Sequence, residues 1–460
     1  MFHNSGHSSR LFYNPQNMGP MTQMREIQGH LEVVGNSLHI GGVDCTGIAD
    51  EFGTPTYVYN IDRVLENYRR LRDGLEDHAD RGVAVYYAVK ANFNPAILRA
   101  LADEGAHADV LSVYETEFAL RSGFPRERIM FTGTSVTDET MAYLLDNGVL
   151  INIDSFSQMR RLAKIAPEGL EVSVRWNPGE GAGFDPKVIT AGSRSHGRPV
   201  KFGIEEGKIL DLCGEALDLG LRPVGLHQHI GSGWTGGDVD RFLETVGLTL
   251  DVAGRMTDLL GHDLRQVDFG GGPGIPSRPG QQEFPIDRYC RGIYEQVKKS
   301  GLGFERICVE SGRYIVGDAG VLLTRVNTVE EKSGNLIVGV DAGFNALIRP
   351  AFYGGYVDGV FREAYHEMVV AGRIEGPQDL CTVAGPLCET GDLLAIDRRM
   401  TRPEEGEVLA ILGVGAYGYS MASVYNLQPR PAEVIVPKGR LVTRRDDLES
   451  LTKSYLTRMI

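Results

Sequence analysis

The chain predicts an α/β protein: a (β/α)8 TIM-type barrel plus a C-terminal all-β domain that also takes one or two N-terminal strands. Three observations predict it. Between residues 56 and 313, eight apolar, β-branched runs alternate with amphipathic stretches across short Gly-, Asn- or Asp-bearing connections. Beyond Arg313 the texture changes to short β-rich runs punctuated by turns. Residues able to do chemistry gather at the C-terminal ends of the eight runs, the face on which such barrels build their sites.

The runs that predict barrel strands are 83–89, 107–111, 129–132, 149–154, 171–175, 223–229, 265–269 and 306–310. Helical spacing fills the intervals at Pro95–Glu104, Tyr114–Ser122, Asp138–Asn147, Ser157–Ala166, Glu205–Leu219, Asp238–Leu260 and Ile286–Lys299. Crossovers of one hand close naturally at eight strands. Further β runs follow at Val321–Val329, Leu336–Val340, Asp379–Ala384 and Glu407–Val414, with turn signals at 332–335 and 403–406. Leu31–Tyr59 also reads as β. The expected organisation is a mobile N-terminal arm over 1–27, strands joining the β domain over 28–55, the barrel over 56–320 and the β domain over 321–460. Met18, Met21 and Met24 offer alternative starts within the arm.

At 460 residues, two domains are the default. A net charge of −14 argues against nucleic acid or an anionic membrane as partner, so local cations and backbone N–H groups must hold any anionic ligand. Cysteines 45, 213, 290, 308, 381 and 388 lack CxxC spacing, which reads as reduced thiols in a cytoplasmic protein without a zinc framework. No apolar run is long enough to span a bilayer.

Lys90 is the most informative residue. It ends the first apolar strand, where it points into a pocket and desolvation is expected to lower its pKa and sharpen its amine for aldehydes. A pyridoxal phosphate (PLP) enzyme needs such a lysine. A solvated or salt-bridged lysine is the commoner case; the rest of the rim tips the balance. Asp109 lies in the second strand, Arg175 ends the fifth, and His229 ends the sixth in His227-Gln228-His229-Ile230-Gly231-Ser232. Gly270, Gly271 and Gly272 follow the seventh, while Glu310 and Arg313 close the eighth. Three glycines and Gly231-Ser232 can offer backbone N–H groups to a phosphate, although glycine runs also serve turns alone. His229 can lie against a flat ring, and a carboxylate such as Glu310 can hold a proton on a ring nitrogen. A loop ion pair between Glu310 and Arg313 is the bland alternative. The His227/His229 spacing also suits a metal. Metal-dependent barrels, however, need further histidines, and the seventh and eighth strands carry none.

The ordered blocks Tyr87-Ala88-Val89-Lys90-Ala91-Asn92, His229-Ile230-Gly231-Ser232, Asp268-Phe269-Gly270-Gly271-Gly272, Glu310-Ser311-Gly312-Arg313, Asp341-Ala342-Gly343, Ile348-Arg349-Pro350-Ala351-Phe352-Tyr353, Gly385-Pro386-Leu387-Cys388-Glu389 and Gly415-Ala416-Tyr417-Gly418 carry a resemblance. From about Gly53 to Tyr425 the chain resembles the PLP-dependent decarboxylases of the alanine racemase-like barrel fold, most closely the diaminopimelate decarboxylase branch. The resemblance implies that Lys90 carries the cofactor, His229 stacks on its ring and Glu310 partners its nitrogen. It places Ser232, the triple glycine and Tyr417 around the phosphate. It implies a head-to-tail homodimer in which Cys388 and Glu389 reach the neighbour's site, Cys388 as the acid at the α-carbon. It also assigns Arg313, Arg349, Tyr353 and Glu389 to the distal amino-acid head of the substrate. Departures from the family pattern stand at Ser112-Val113-Tyr114-Glu115, at Ser311, at Tyr356-Val357 and at Trp234.

The implied reaction is decarboxylation of meso-2,6-diaminopimelate to L-lysine, the last step of lysine biosynthesis. Two guanidinium forks suit a second carboxylate and Glu389 suits a distal ammonium. Decarboxylation of a D-amino acid, a polyamine precursor or a carrier-linked glutamyl group is the alternative within the same chemistry. A non-catalytic homologue that binds a protein partner is the alternative outside it, opposed by the joint presence of Lys90, Glu310, Cys388 and the phosphate loop. An alanine racemase reading is opposed by Cys388-Glu389.

Overall fold

A computed structural model describes residues 30–195, 197–278, 280–353, 355–357, 360–362, 364–437 and 440–456. The arm expected over 1–27 lies outside them. Eight parallel strands form the barrel: β1 (Gly82–Ala88), β2 (His107–Val110), β3 (Ile129–Phe131), β4 (Leu150–Ile153), β5 (Leu170–Asn177), β6 (Leu221–Gln228), β7 (Leu264–Asp268) and β8 (Phe304–Ser311). Closure comes from β8 against β1, with Glu310 opposite Tyr86, and from β4 against β5. All eight expected strands are present.

Local chemistry explains why the intervening segments become helices. Asn60 accepts from the N–H groups of Asp62 and Arg63 and starts the helix Ile61–Glu76. Asn94 caps Pro95–Asp103, whose proline occupies the first turn, where no N–H partner is lost. Ser112, Thr137 and Ser155 cap the next three helices through N–H groups three residues on. Each such cap stabilises its helix by about 1 kcal/mol. Gly123 ends Val113–Ser122 at φ 103°, a conformation costly for other residues. The apolar faces of these helices and the strands share one continuous core.

The second sheet runs Leu393–Thr401, Gln378–Ala384, Asn335–Val340, Gly320–Lys332, Thr56–Asn60, Ala432–Val436, Arg440–Thr443, and Val408–Leu412 joins Gly320–Lys332 beside it. Thr56–Asn60 is therefore a strand of this sheet, antiparallel to Gly320–Lys332 and parallel to Ala432–Val436. The chain turns into the barrel after it, through the helix Ile61–Glu76. The N-terminal strands Glu32–Val34, Ser37–Ile40 and Val43–Asp44 attach through Leu38 N–H to the Ala371 carbonyl, at 2.7 Å. They build a smaller core with Val58, Val321, Leu323 and Val369. The stretch Leu31–Tyr59 is not all β, because Asp44 caps a helix over Cys45–Phe52 that Gly53 ends at φ 72°.

Candidate active site

Parallel register brings the rim residues together. Ala88 pairs with Asp109 across β1 and β2, and two residues past β1 Lys90 sits on a single 3-10 turn, Val89–Ala91. Its Nζ donates to Asp109 Oδ2 at 2.7 Å. Burial alone would lower the Lys90 pKa, but the carboxylates of Asp109 and Glu310 outweigh it and hold the ammonium above the ordinary lysine range. The expectation that desolvation lowers the Lys90 pKa is thus corrected: the pocket that removes water also supplies the counter-charge. Burial and the nearby Glu310 push the Asp109 carboxyl up.

His227 on β6 stands in register with Arg175 on β5 and with Asp268 on β7. Its Nε2 lies 3.0 Å from Glu310 Oε1, both side chains being buried. Burial opposes ionisation of Glu310, yet His227 and Lys90 hold its carboxyl below the usual range. His229 faces elsewhere. The Gly271 N–H donates to its Nδ1 at 3.1 Å, and burial lowers its pKa to about 3, so the ring is neutral. The two histidines therefore do not converge on one point. Arg175 is buried 4.6 Å over the Phe202 ring, with Asp154 at 3.8 Å.

The triple glycine is spent differently from the expectation that all three N–H groups face a phosphate. Gly270 donates to Asp268 Oδ1 at 2.8 Å and Gly271 to His229, which leaves Gly272 and Ser232 for a ligand. A Cβ at Gly271 would strike the Glu310 carbonyl, and one at Gly272 would strike the Trp234 indole. Trp234, buried against Phe242, donates its backbone N–H to the Gly272 carbonyl at 2.9 Å. The connection after β5 closes over this loop: Ala182 and Phe184 donate to the carbonyls of Ile230 and Ser232.

Arg313 and Arg349 form the most telling group. Their guanidinium carbons lie 4.8 and 5.9 Å from the Tyr417 ring centre and 5.2 and 5.3 Å from that of Phe184, with Arg349 also 4.8 Å over Tyr353. Among the described residues neither has a carboxylate partner. Arg313 Nε and Arg349 Nε and Nη1 are buried without acceptors. Burial and the like charge of Arg313 push the Arg349 pKa down to about 9. Tyr417 holds a left-handed backbone (φ 58°) and donates its N–H to the Ala91 carbonyl, so the arginine-bearing wall is tied to the turn that carries Lys90.

Cys388 and Glu389 are exposed, on the loop after the strand Gln378–Ala384. Cys388 N–H donates to Asn426 Oδ1, and Tyr425 Oη donates to Glu389. Among the described residues they share no hydrogen bond with the barrel rim of their own chain. Sequence reasoning missed Phe184, whose only signal is an aromatic after Gly181-Ala182-Gly183. It also missed Tyr425, and it read His227 only as half of a metal pair.

A PLP-shaped demand fits these observations: a lysine amine at a barrel mouth, an ionised buried carboxylate, a neutral ring-bearing histidine and a backbone cradle that admits no side chain. The family model for the pyridoxal-dependent decarboxylase, pyridoxal binding domain, matches residues 61–317. The diaminopimelate decarboxylase of Methanothermobacter thermautotrophicus is 45% identical over 414 residues, covering 89% of this chain and 92% of that one. That of Aquifex aeolicus is 33% identical, covering 95% and 100%. The crystal structure of M. jannaschii diaminopimelate decarboxylase with L-lysine superimposes with a TM-score of 0.84 at 31% identity, covering 93% of this chain and 98% of that one. With its barrel, its rim and its relatives in agreement, the chain belongs to the diaminopimelate decarboxylase family of PLP-dependent decarboxylases.

Proposed function

We propose that this chain decarboxylates meso-2,6-diaminopimelate to L-lysine and CO2, as the closing step of lysine biosynthesis. The carrying observation is the Arg313/Arg349 pair, two guanidiniums with unanswered N–H donors beside the wall that leads to Lys90. Such donors suit a carboxylate held away from the reacting amine, and the substrate's distal end supplies one. Two similar structures are described as complexes with L-lysine, the product of this reaction.

PLP, when bound, takes up the electrons released as the bond from Cα to the carboxylate breaks. Lys90 would hold the cofactor, Ser232 and Gly272 would receive its phosphate with Gly270 and Gly271 shaping the loop, and His229 would supply the flat neighbour for its ring. Asp109 and Arg175 would set the charge around that ring, and Glu310 would keep a proton on its nitrogen. Arg313, Arg349 and Tyr353 grip the distal carboxylate, and Glu389 accepts from the distal ammonium. Cys388 returns a proton to Cα. The exposed place of Cys388 and Glu389 supports a homodimer in which each chain completes the other's site, and six free thiols support a cytoplasmic setting. Among the described residues no helix is long and apolar enough to cross a membrane.

The test is CO2 release from meso-diaminopimelate by purified protein with added PLP, set against lysine, ornithine and arginine. Preference for diaminopimelate by orders of magnitude is expected; equal turnover of ornithine would reject the distal-carboxylate reading. Borohydride trapping with peptide mass analysis should place the cofactor on Lys90.

A further inference from the structure

His227 is buried at the site and hydrogen-bonds to none of the residues assigned to substrate. We infer that His227 is a positioning residue: its Nε2–H holds one oxygen of Glu310, fixing the carboxylate so that the other oxygen faces the cofactor's ring nitrogen. The inference rests on the reading above, in which the site takes PLP and Glu310 partners that nitrogen.

The geometry is specific. A carboxylate only accepts hydrogen bonds, so the proton bridging the 3.0 Å contact sits on Nε2 of His227. Nδ1 is buried and has no partner among the described residues. A histidine present only to fill the core would not need its one engaged nitrogen aimed at a charge. Glu310 Oε1 receives His227, and among the described residues Oε2 receives no donor.

The surroundings make that donor necessary. One ring nitrogen of His227 and one oxygen each of Asp268 and Glu310 lie within 4.8 Å of one another. Asp109 adds a further carboxylate whose charge disfavours an ionised Glu310. Lys90 opposes this, yet Lys90 is the residue the cofactor claims. Arg175 faces Asp154 and the Phe202 ring, and His229 is neutral and bonded to Gly271. His227 is left as the donor that stays with Glu310 through turnover. A hydrogen bond from an imidazole N–H to a buried carboxylate suits the task, because it stabilises the charged form and fixes its orientation.

The experiment compares wild type, His227→Leu, His227→Gln, Glu310→Gln and the double variant His227→Leu/Glu310→Gln, each loaded with PLP and checked for melting temperature. His227→Leu should lower kcat about ten- to hundredfold, the scale of one hydrogen bond to a charged group, with KM little changed. Its acid limb should move to higher pH, because Glu310 loses a donor and protonates sooner. The 15N signal of ring-labelled cofactor should report loss of the ring proton at the pH where that limb appears. His227→Gln, which can still donate, should recover most of kcat. On the Glu310→Gln background, His227→Leu should add almost nothing. An unchanged acid limb and 15N signal in His227→Leu, or equal losses on both backgrounds, overturns the inference. Should His227→Leu fail to fold, His227→Asn, too short to reach the carboxylate, takes its place under the same criteria. If Glu310→Gln keeps full kcat and its 15N signal, the ring-nitrogen reading itself fails, and the role of His227 falls with it.

Discussion

Lys90 Nζ donates to Asp109 Oδ2 across neighbouring barrel strands, a contact of 2.7 Å set by the pairing of Ala88 with Asp109. This contact keeps the lysine charged, although covalent chemistry requires its neutral amine. Asp109→Asn should therefore let Lys90 lose its proton at lower pH. Covalent uptake of PLP, followed by absorbance, should reach its maximal rate at lower pH than in wild type. The charge pair's contribution to stability is complete below about pH 10.4, the ordinary lysine value, and fades as pH rises through the raised folded value. An identical uptake profile in the variant would reject the coupling.

Arg349 trades stability for recognition. It is 4% exposed, lacks a carboxylate partner and faces the like charge of Arg313. Arg349→Met should raise the melting temperature by relieving that burden while raising KM for diaminopimelate about ten- to hundredfold. A variant that melts lower and keeps its KM would show the arginine to be structural.

Gly272 is pressed against the Trp234 indole at φ 142°. Gly272→Ala should cost about 2 kcal/mol in urea unfolding and weaken PLP binding. Trp234→Leu in the same chain should restore part of both. No loss in the single variant would mean that the loop is slack.

Three histidines resist acid. Burial lowers His107, His229 and His366 to about 3. The unfolded chain protonates each near 6.5, so their stability contribution is complete above that value and is lost as pH falls from about 6.5 to about 3. His366→Leu should flatten the slope of unfolding free energy against pH in that window by one proton, measured by urea titration. A slope equal to wild type would contradict the buried neutral state.

Cys388 and Lys90 should complement each other only between chains. Lys90→Ala and Cys388→Ala should each be nearly inactive. Mixing equal amounts under conditions that exchange subunits should restore about a quarter of native activity, since random pairing in a two-fold dimer regenerates one intact site in half the molecules. No recovery after demonstrated exchange would place both residues in one chain's site.

Much of this was legible in the primary structure because the barrel obeys local rules. Strand runs such as 107–111 and capped helices such as Pro95–Asp103 declare themselves through composition and spacing alone. Cys45–Phe52 escaped although Asp44 and Gly53 mark both its ends, since the β-like residues flanking it dominated the stretch. Ala432–Val436 escaped because a strand of five residues gains its meaning only from a partner at Thr56–Asn60, more than 370 positions away. In the site, Lys90 and Glu310 were visible as ends of strands. The state of Lys90 was not, because desolvation and counter-charge act in opposite directions and only distances show which prevails. Phe184 was invisible for a related reason: its value lies in two arginines that the chain delivers from elsewhere.

The pairing of Thr56–Asn60 with both Gly320–Lys332 and Ala432–Val436 has a consequence for biogenesis. A ribosome releases the whole barrel long before the strand that covers the other side of Thr56–Asn60. Until residue 436 emerges, that early strand presents an unpaired apolar edge, inviting intermolecular association. Nascent chains stalled between residues 320 and 430 should thus be the species that chaperones capture, and Ala432–Val436 acts as a seal on the translation product.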